Sequence, residues 1–117
     1  MNQEALQRYG TTLLKIETFL RECCVKNWPD RLADWQIQLR KLQEATPYDE
    51  QRLREHLTRS RKATGGMGSL GDIFISPSAG DCIADNPAEI AATNSQLKTL
   101  IHALYEISDR LLSSRAE

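Results

Sequence analysis

Residues 65–77 read GGMGSLGDIFISP, and this stretch interrupts a chain whose other segments carry helical patterns. Four of the six glycines fall within its first seven positions, where they disfavour a helix. The β-branched and aromatic run from Asp72 to Ser76 then favours a short strand, and a second strand is predicted at 81–84. We therefore expect a small β-hairpin, or at least a glycine-rich β element, at about residues 64–85.

The two ends of the chain are predicted to be long helices. From about residue 2 to residue 26, leucines at 6, 13 and 20 recur every seven residues, which indicates one broad buried face. Near the other end, Asn86 has the residue type and position of an N-cap, and Pro87 fits the first helical turn. Apolar residues then recur every seven positions, so this helix is expected to reach about Ser113.

Two shorter helices are predicted between these ends, at about 29–44 and 47–62. The first has a buried seam of leucines and Trp35, and the second begins after Thr46, a predicted N-cap. The second is also the most basic element, with five Lys and Arg residues. The expected fold is therefore mainly α: one four-helix bundle-like domain over residues 1–117, with the β insertion between the third and fourth helices.

The charge of the chain is almost balanced, at −1 over 117 residues. Residues 1–62 carry a surplus of three positive charges, whereas the remainder carries a deficit of four. Neither half is basic enough to make nucleic acid the expected partner. No apolar run is long enough to cross a membrane, and the first residues lack the pattern of a signal peptide. We therefore expect a cytoplasmic protein with no membrane partner.

The three cysteines are odd in number and lack the spacing of metal ligands. Cys23 and Cys24 are adjacent, which strains a bond between them. The sequence therefore predicts reduced thiols, with Cys23 a small hydrophobe on the buried face of the first helix.

The glycine loop is a candidate site for a partner or a ligand, through Gly66, Met67, Gly68, Ser69 and Asp72. Bare backbone N–H groups can hold phosphate, but such loops usually lead into a helix, and no lysine of the P-loop kind is present. The favoured interpretation is a tight turn that needs positive φ and packs closely on a helix, with the Asp72 carboxylate as its cap.

The third helix offers a second candidate surface, formed by Arg52, Arg59 and Arg61. Neighbouring acidic residues dilute it, so it is expected to be a solvated face or a docking surface for an acidic protein. His56 lies among these polar residues and is predicted to be exposed.

No set of residues predicts catalysis or a metal site. Cys82 or Ser69 could act with His102, but nothing in their spacing supports such a pair. Asn94, on the apolar face of the last helix, is predicted to be a buried amide that fixes packing register. No cofactor is expected.

Residues 65–73, followed by an aliphatic run and a leucine-rich helix, resemble a family of small bacterial proteins with a domain of unknown function. That family carries a GGMGS-hydrophobic-x-D signature before a C-terminal helix, and the resemblance covers about residues 60–112. It implies no activity and no catalytic residues. The small single-domain form is also similar to immunity proteins of bacterial toxin systems.

Two functions are consistent with these patterns. The first is a non-enzymatic, protein-binding module of the bacterial cytoplasm, with a toxin as one expected partner. The alternative is a small ligand- or phosphate-binding protein, or an enzyme, that uses the loop from Gly65 to Asp72. The seven-residue seams of the first and last helices would also suit a homodimer.

Overall fold

The computed structural model contains four α-helices and describes residues 2–45, 47, 49–66 and 69–113. The helices are α1 (Gln3–Glu22), α2 (Trp28–Glu44), α3 (Glu50–Ala63) and α4 (Pro87–Ser113). Between α3 and α4 lie two single-turn 3-10 helices, Leu70–Asp72 and Pro77–Ala79. The mainly helical, bundle-like prediction is confirmed.

Side-chain caps define the start of three helices. The Asn2 side chain accepts a hydrogen bond from the Ala5 amide, and the Asn86 side chain accepts from the first turn of α4 as predicted. Helix α3 begins at Glu50 because the Asp49 carboxylate accepts from the Arg52 amide at 3.1 Å. The expected start at residue 47 was therefore wrong, and Thr46 lies outside the described residues.

Helix α1 ends four residues before the predicted residue 26. Cys24 adopts a φ of 59°, and its amide donates to the Arg21 carbonyl while the Val25 amide reaches back to the Leu20 carbonyl. This is the hydrogen-bond pattern of a Schellman motif, which turns the chain out of the helix. The motif needs a left-handed residue, which glycine usually supplies, so the sequence did not reveal it.

Helix α1 lies between α2 and α4, and α3 packs mainly against α4. Helices α2 and α3 touch less than the other neighbouring pairs, and the molecule measures 50 × 24 × 22 Å. The predicted seven-residue seams of α1 and α4 line the core, which confirms the periodicity. Fully buried residues of the core are Leu6, Tyr9, Leu13, Ile16, Leu20, Leu32, Leu53, Leu57, Leu70, Ile75 and Leu104.

The predicted β-hairpin is wrong, since no strand occurs in the part of the chain that the structure describes. The Ile75 amide and carbonyl instead pair with the side chain of Asn94, at 2.8 and 2.9 Å. The Asn94 amide therefore takes the place of a partner strand. Pro77 starts a 3-10 turn directly afterwards, and the Asp81 carboxylate accepts from the Ser76 amide.

Candidate functional site

The glycine loop is closed by a hydrogen bond between its own residues. Gly66 has a φ of 96°, and its carbonyl accepts from the Ser69 hydroxyl at 2.5 Å. The positive φ confirms the tight turn expected at this position. Met67 and Gly68, two of the predicted loop residues, lie outside the described residues.

Gly71 brings the loop against the backbone of α3. A Cβ atom at this position would collide with the Thr64 carbonyl, so no side chain fits there. The preceding Leu70 is completely buried in the core. These contacts indicate that the glycine loop has a structural role, since they anchor the segment that follows α3. Asp72 is exposed at the end of the 3-10 turn, and its capping role stays a prediction.

A shallow groove of about 310 Å³ separates the glycine loop from α4. Its lining includes Gly71 and three side chains of α4 that can form polar contacts, Lys98, His102 and Tyr105. His102 is well exposed, and its Nε2 lies 2.9 Å from the Glu106 carboxylate. The loop therefore has a neighbouring groove with a cation, although the loop itself does not lead into a long helix.

The predicted arginine surface of α3 divides into paired and unpaired side chains. Arg61 forms an ion pair with Asp109 at 2.8 Å, which fastens α3 to α4. Arg52 lies 3.5 Å from Asp49 and is 75% exposed, so that ion pair is weak. Arg59 is exposed and makes no hydrogen bond or ion pair among the described residues. The structure thus leaves Arg59 available for an external anion.

Two grooves flank this arginine surface. The groove between α3 and α4 has a volume of about 670 Å³, and Arg54 crosses it to donate to the Leu112 carbonyl at 2.6 Å. The groove between α2 and α3 has a volume of about 400 Å³ and is lined by both Arg52 and Arg59. Arg59 lines both grooves, so it occupies the ridge between them.

His56 was predicted to be exposed, and this is wrong: its side chain is 2% exposed. Its Nε2 lies 2.9 Å from the Tyr9 hydroxyl, and the two rings meet edge to face, with Trp35 on another side. Burial first, and the charge of Arg59 second, lower the pKa of His56 from 6.5 to about 4. His56 is therefore a neutral core residue that lies beneath the arginine surface.

The prediction of three reduced thiols is also wrong. Cys24 and Cys82 form a disulfide, with their Cα atoms 5.3 Å apart. The two cysteines are 58 positions apart in sequence, and folding brings the end of α1 beside the segment that precedes α4. Cys23 is free and half-buried, and burial together with Asp81 and Glu22 raises the pKa of its thiol.

Of the two nucleophiles that the sequence suggested, Cys82 is occupied by the disulfide, and the Ser69 hydroxyl donates to the Gly66 carbonyl. The raised pKa of Cys23 opposes thiolate formation at the free thiol. The described residues contain no group of histidine, cysteine and carboxylate side chains that could hold a metal ion.

Comparison with protein-family models, curated proteins and solved structures found no match to this chain. Within the described residues, no helix is both long and apolar enough to span a membrane. The likeness to the family with the GGMGS signature therefore stays a prediction.

Proposed function

We propose that the protein is a non-enzymatic binding module that docks another protein on the exposed face of α3. The observation that carries this proposal is Arg59, which is exposed and unpaired among the described residues on the ridge between two grooves. Several other arginines form ion pairs within the fold, as Arg8 does with Glu4 and Arg21 with Glu17. An arginine that the fold does not use is a candidate anchor for a partner.

The positions of the reactive side chains favour binding over catalysis. His56, the histidine nearest the arginine surface, is buried against Tyr9 and stays neutral at ordinary pH. A general base must reach the proton that it removes, and His56 has almost no access to solvent. We therefore assign His56 to the core rather than to a reaction.

The likeness to immunity proteins makes a bacterial toxin one expected partner. The disulfide between Cys24 and Cys82 disagrees with the reduced thiols that we expected of a cytoplasmic protein. Disulfides persist mainly in oxidising compartments, so we infer that the module works where thiols are oxidised.

A photo-crosslinking experiment tests the docking face without changing its charge. A benzophenone amino acid replaces Gln51, which is exposed and lines the groove between α3 and α4. The matched control carries it at Thr18, an exposed position on α1. In extracts of the source organism, we expect one protein, identified by mass spectrometry, to cross-link at position 51 and not at position 18. The absence of any cross-linked protein would remove the proposal.

The groove beside the glycine loop supports a second candidate, the binding of a small anion. Lys98 and His102 line it opposite Gly71 and could bind a phosphate group. Thermal shift measurements with inorganic phosphate and nucleotides test this function, with Lys98→Gln as the variant. Stabilisation that is lost in this variant would favour it, and no shift with any of the anions would reject it.

A further inference from the structure

We propose that the groove between α2 and α3 binds an acidic segment of the partner protein, with two carboxylates about 10 Å apart. This inference rests on the proposed function and adds the chemistry and the place of the contact. The groove lies between α2 and α3, which make fewer contacts than the other neighbouring helix pairs. A partner can therefore enter without separating tightly packed helices.

Five of the six described residues that line this groove are polar or charged, and their net charge is positive. Helix α2 contributes Lys41 and the half-buried Leu42, while α3 contributes Arg52, Glu55 and Arg59. The groove thus has three positively charged side chains and one carboxylate. Leu42 adds a small apolar contact next to the charges.

Two cations of this groove have no ion pair within the described part of the fold, and the third has only a weak one. Neither Lys41 nor Arg59 makes an ion pair with another described residue, and Arg52 has only an exposed contact to Asp49 at 3.5 Å. The larger groove beside α4 differs, because Arg54 and Arg61 already bind Leu112 and Asp109 there. The smaller groove therefore has more free donors for a ligand.

The spacing of the arginines suggests the form of the ligand. Arg52 and Arg59 are seven residues apart on one helix, which separates them by about 10 Å along its axis. A guanidinium group binds a carboxylate through two parallel hydrogen bonds, so two carboxylates at this separation would satisfy both arginines.

A protein segment fits this groove better than a nucleic acid does. Binding of nucleic acid requires several cations along a phosphate backbone and, for single strands, aromatic side chains that stack on bases. Here Glu55 lies between the arginines, and no aromatic side chain lines the groove among the described residues. A peptide whose acidic residues are spaced apart can bind both arginines without placing a negative charge beside Glu55. The continuous phosphate backbone of a nucleic acid would place a negative charge there.

The test is a titration of the whole protein with a hexaglutamate peptide whose ends are blocked, followed by NMR at low salt. We expect chemical-shift changes at the α2–α3 groove and weaker binding as salt is added. The variant Arg52→Gln/Arg59→Gln should bind about tenfold more weakly. The control variant Lys15→Gln/Arg40→Gln loses the same charge from exposed positions outside the groove and should bind like the parent protein.

Three results would overturn the inference. They are shift changes on another surface, equal weakening in both variants, and a short DNA duplex that binds at least as tightly as the peptide. Hexaglutamine, the neutral peptide, should not bind. If the peptide fails while position 51 still cross-links a partner, the acidic chemistry is wrong and the protein-binding function stands.

Discussion

His56 shows how a single buried residue can make stability depend on pH. Its neutral ring shares a hydrogen bond with the Tyr9 hydroxyl, and burial also raises the pKa of Tyr9 well above its usual value. Both side chains are therefore held in their neutral forms. Arg59, above this pair, further opposes a proton on His56. The fold tolerates the arginine surface because the residue beneath it carries no charge.

The first prediction is that the protein loses stability as pH falls through the unfolded pKa of His56. Between about pH 6.5 and about pH 4, His56 binds a proton in the unfolded chain but not in the folded chain. The free energy of unfolding should therefore fall by about 2 kcal/mol from about pH 7 to about pH 5. Urea unfolding at a series of pH values measures this change.

The variant His56→Gln is the control for this effect. Its side-chain amide can still bond the Tyr9 hydroxyl but does not titrate, so most of the loss over this pH range should disappear. An equal loss in this variant would assign the pH dependence to other groups.

Three glycines of the loop provide a graded test of its structural role. Gly71→Ala forces a Cβ against the Thr64 carbonyl and should cost about 3 kcal/mol. Gly66→Val forces a β-branched residue into a positive φ and should cost about 1–3 kcal/mol. Gly65→Ala meets no neighbour and should change stability by less than about 0.5 kcal/mol. Thermal unfolding ranks the three, and a harmless Gly71→Ala would show that the loop does not rest on α3.

At the level of elements, Asn94 joins α4 to the segment that follows the glycine loop. Its side chain bonds the amide and the carbonyl of Ile75, and also the Ile90 carbonyl one turn earlier. Ile75 is completely buried, so its backbone has no access to water as an alternative partner. One amide side chain therefore supplies the hydrogen bonds that hold the Ile75 backbone in place.

We predict that Asn94→Ala costs about 2–4 kcal/mol, since it leaves two buried backbone groups of Ile75 without partners. The Ile75 amide should also exchange its hydrogen much faster. Gln96→Ala, at an exposed position of α4, is the matched control and should change neither quantity. Slow exchange at Ile75 in the Asn94 variant would contradict this account.

The same contacts explain which parts of the fold the sequence could predict. Apolar periodicity and the Asn86 cap are local signals, so the helices were predicted and Asn94 was correctly expected to be buried. The apolar run around Ile75 also signalled extended chain, but the pattern could not show that a side chain would bond it in place of a strand. His56 has polar neighbours in sequence, and its burial depends on Tyr9, 47 residues away.

The candidate binding surface was predicted only in part. The sequence placed Arg52, Arg59 and Arg61 on one helix, because their spacing is local. The sequence could not show that Arg59 and Arg61 differ. Arg61 forms an ion pair with Asp109 across the α3–α4 interface, whereas Arg59 has no ion pair among the described residues. That difference depends on helix packing, and it decides which groove can receive a ligand.

For the whole molecule, the disulfide is the covalent contact that links distant parts of the chain. Cys24 closes the Schellman motif of α1, and Cys82 belongs to the segment that leads into α4, 58 positions later. A backbone hydrogen bond of 2.9 Å from the Cys82 amide to the Cys23 carbonyl lies beside it. The segment between α3 and α4 is thus held at three points, namely Leu70 in the core, Ile75 on Asn94, and Cys82 at the end of α1.

We predict that removing the disulfide destabilises the protein without unfolding it. Cys24→Ser/Cys82→Ser should lower the free energy of unfolding by about 2–4 kcal/mol, because a long loop of the unfolded chain is no longer closed. Reducing agent should lower the melting temperature of the parent protein and leave that of the double variant unchanged. Cys23→Ala, which keeps the bond, should still respond to reductant.

A thiol assay decides whether the bond forms in the native compartment, and with it the inference about location. Protein trapped by alkylation directly from the source cells should show one free thiol per chain after denaturation, that of Cys23. Three free thiols would indicate that the protein resides in a reducing compartment. In that case Cys82 would keep its backbone hydrogen bond to Cys23 but lose its covalent bond to Cys24. The segment between α3 and α4 would then be held mainly by the contacts of Leu70 and Ile75.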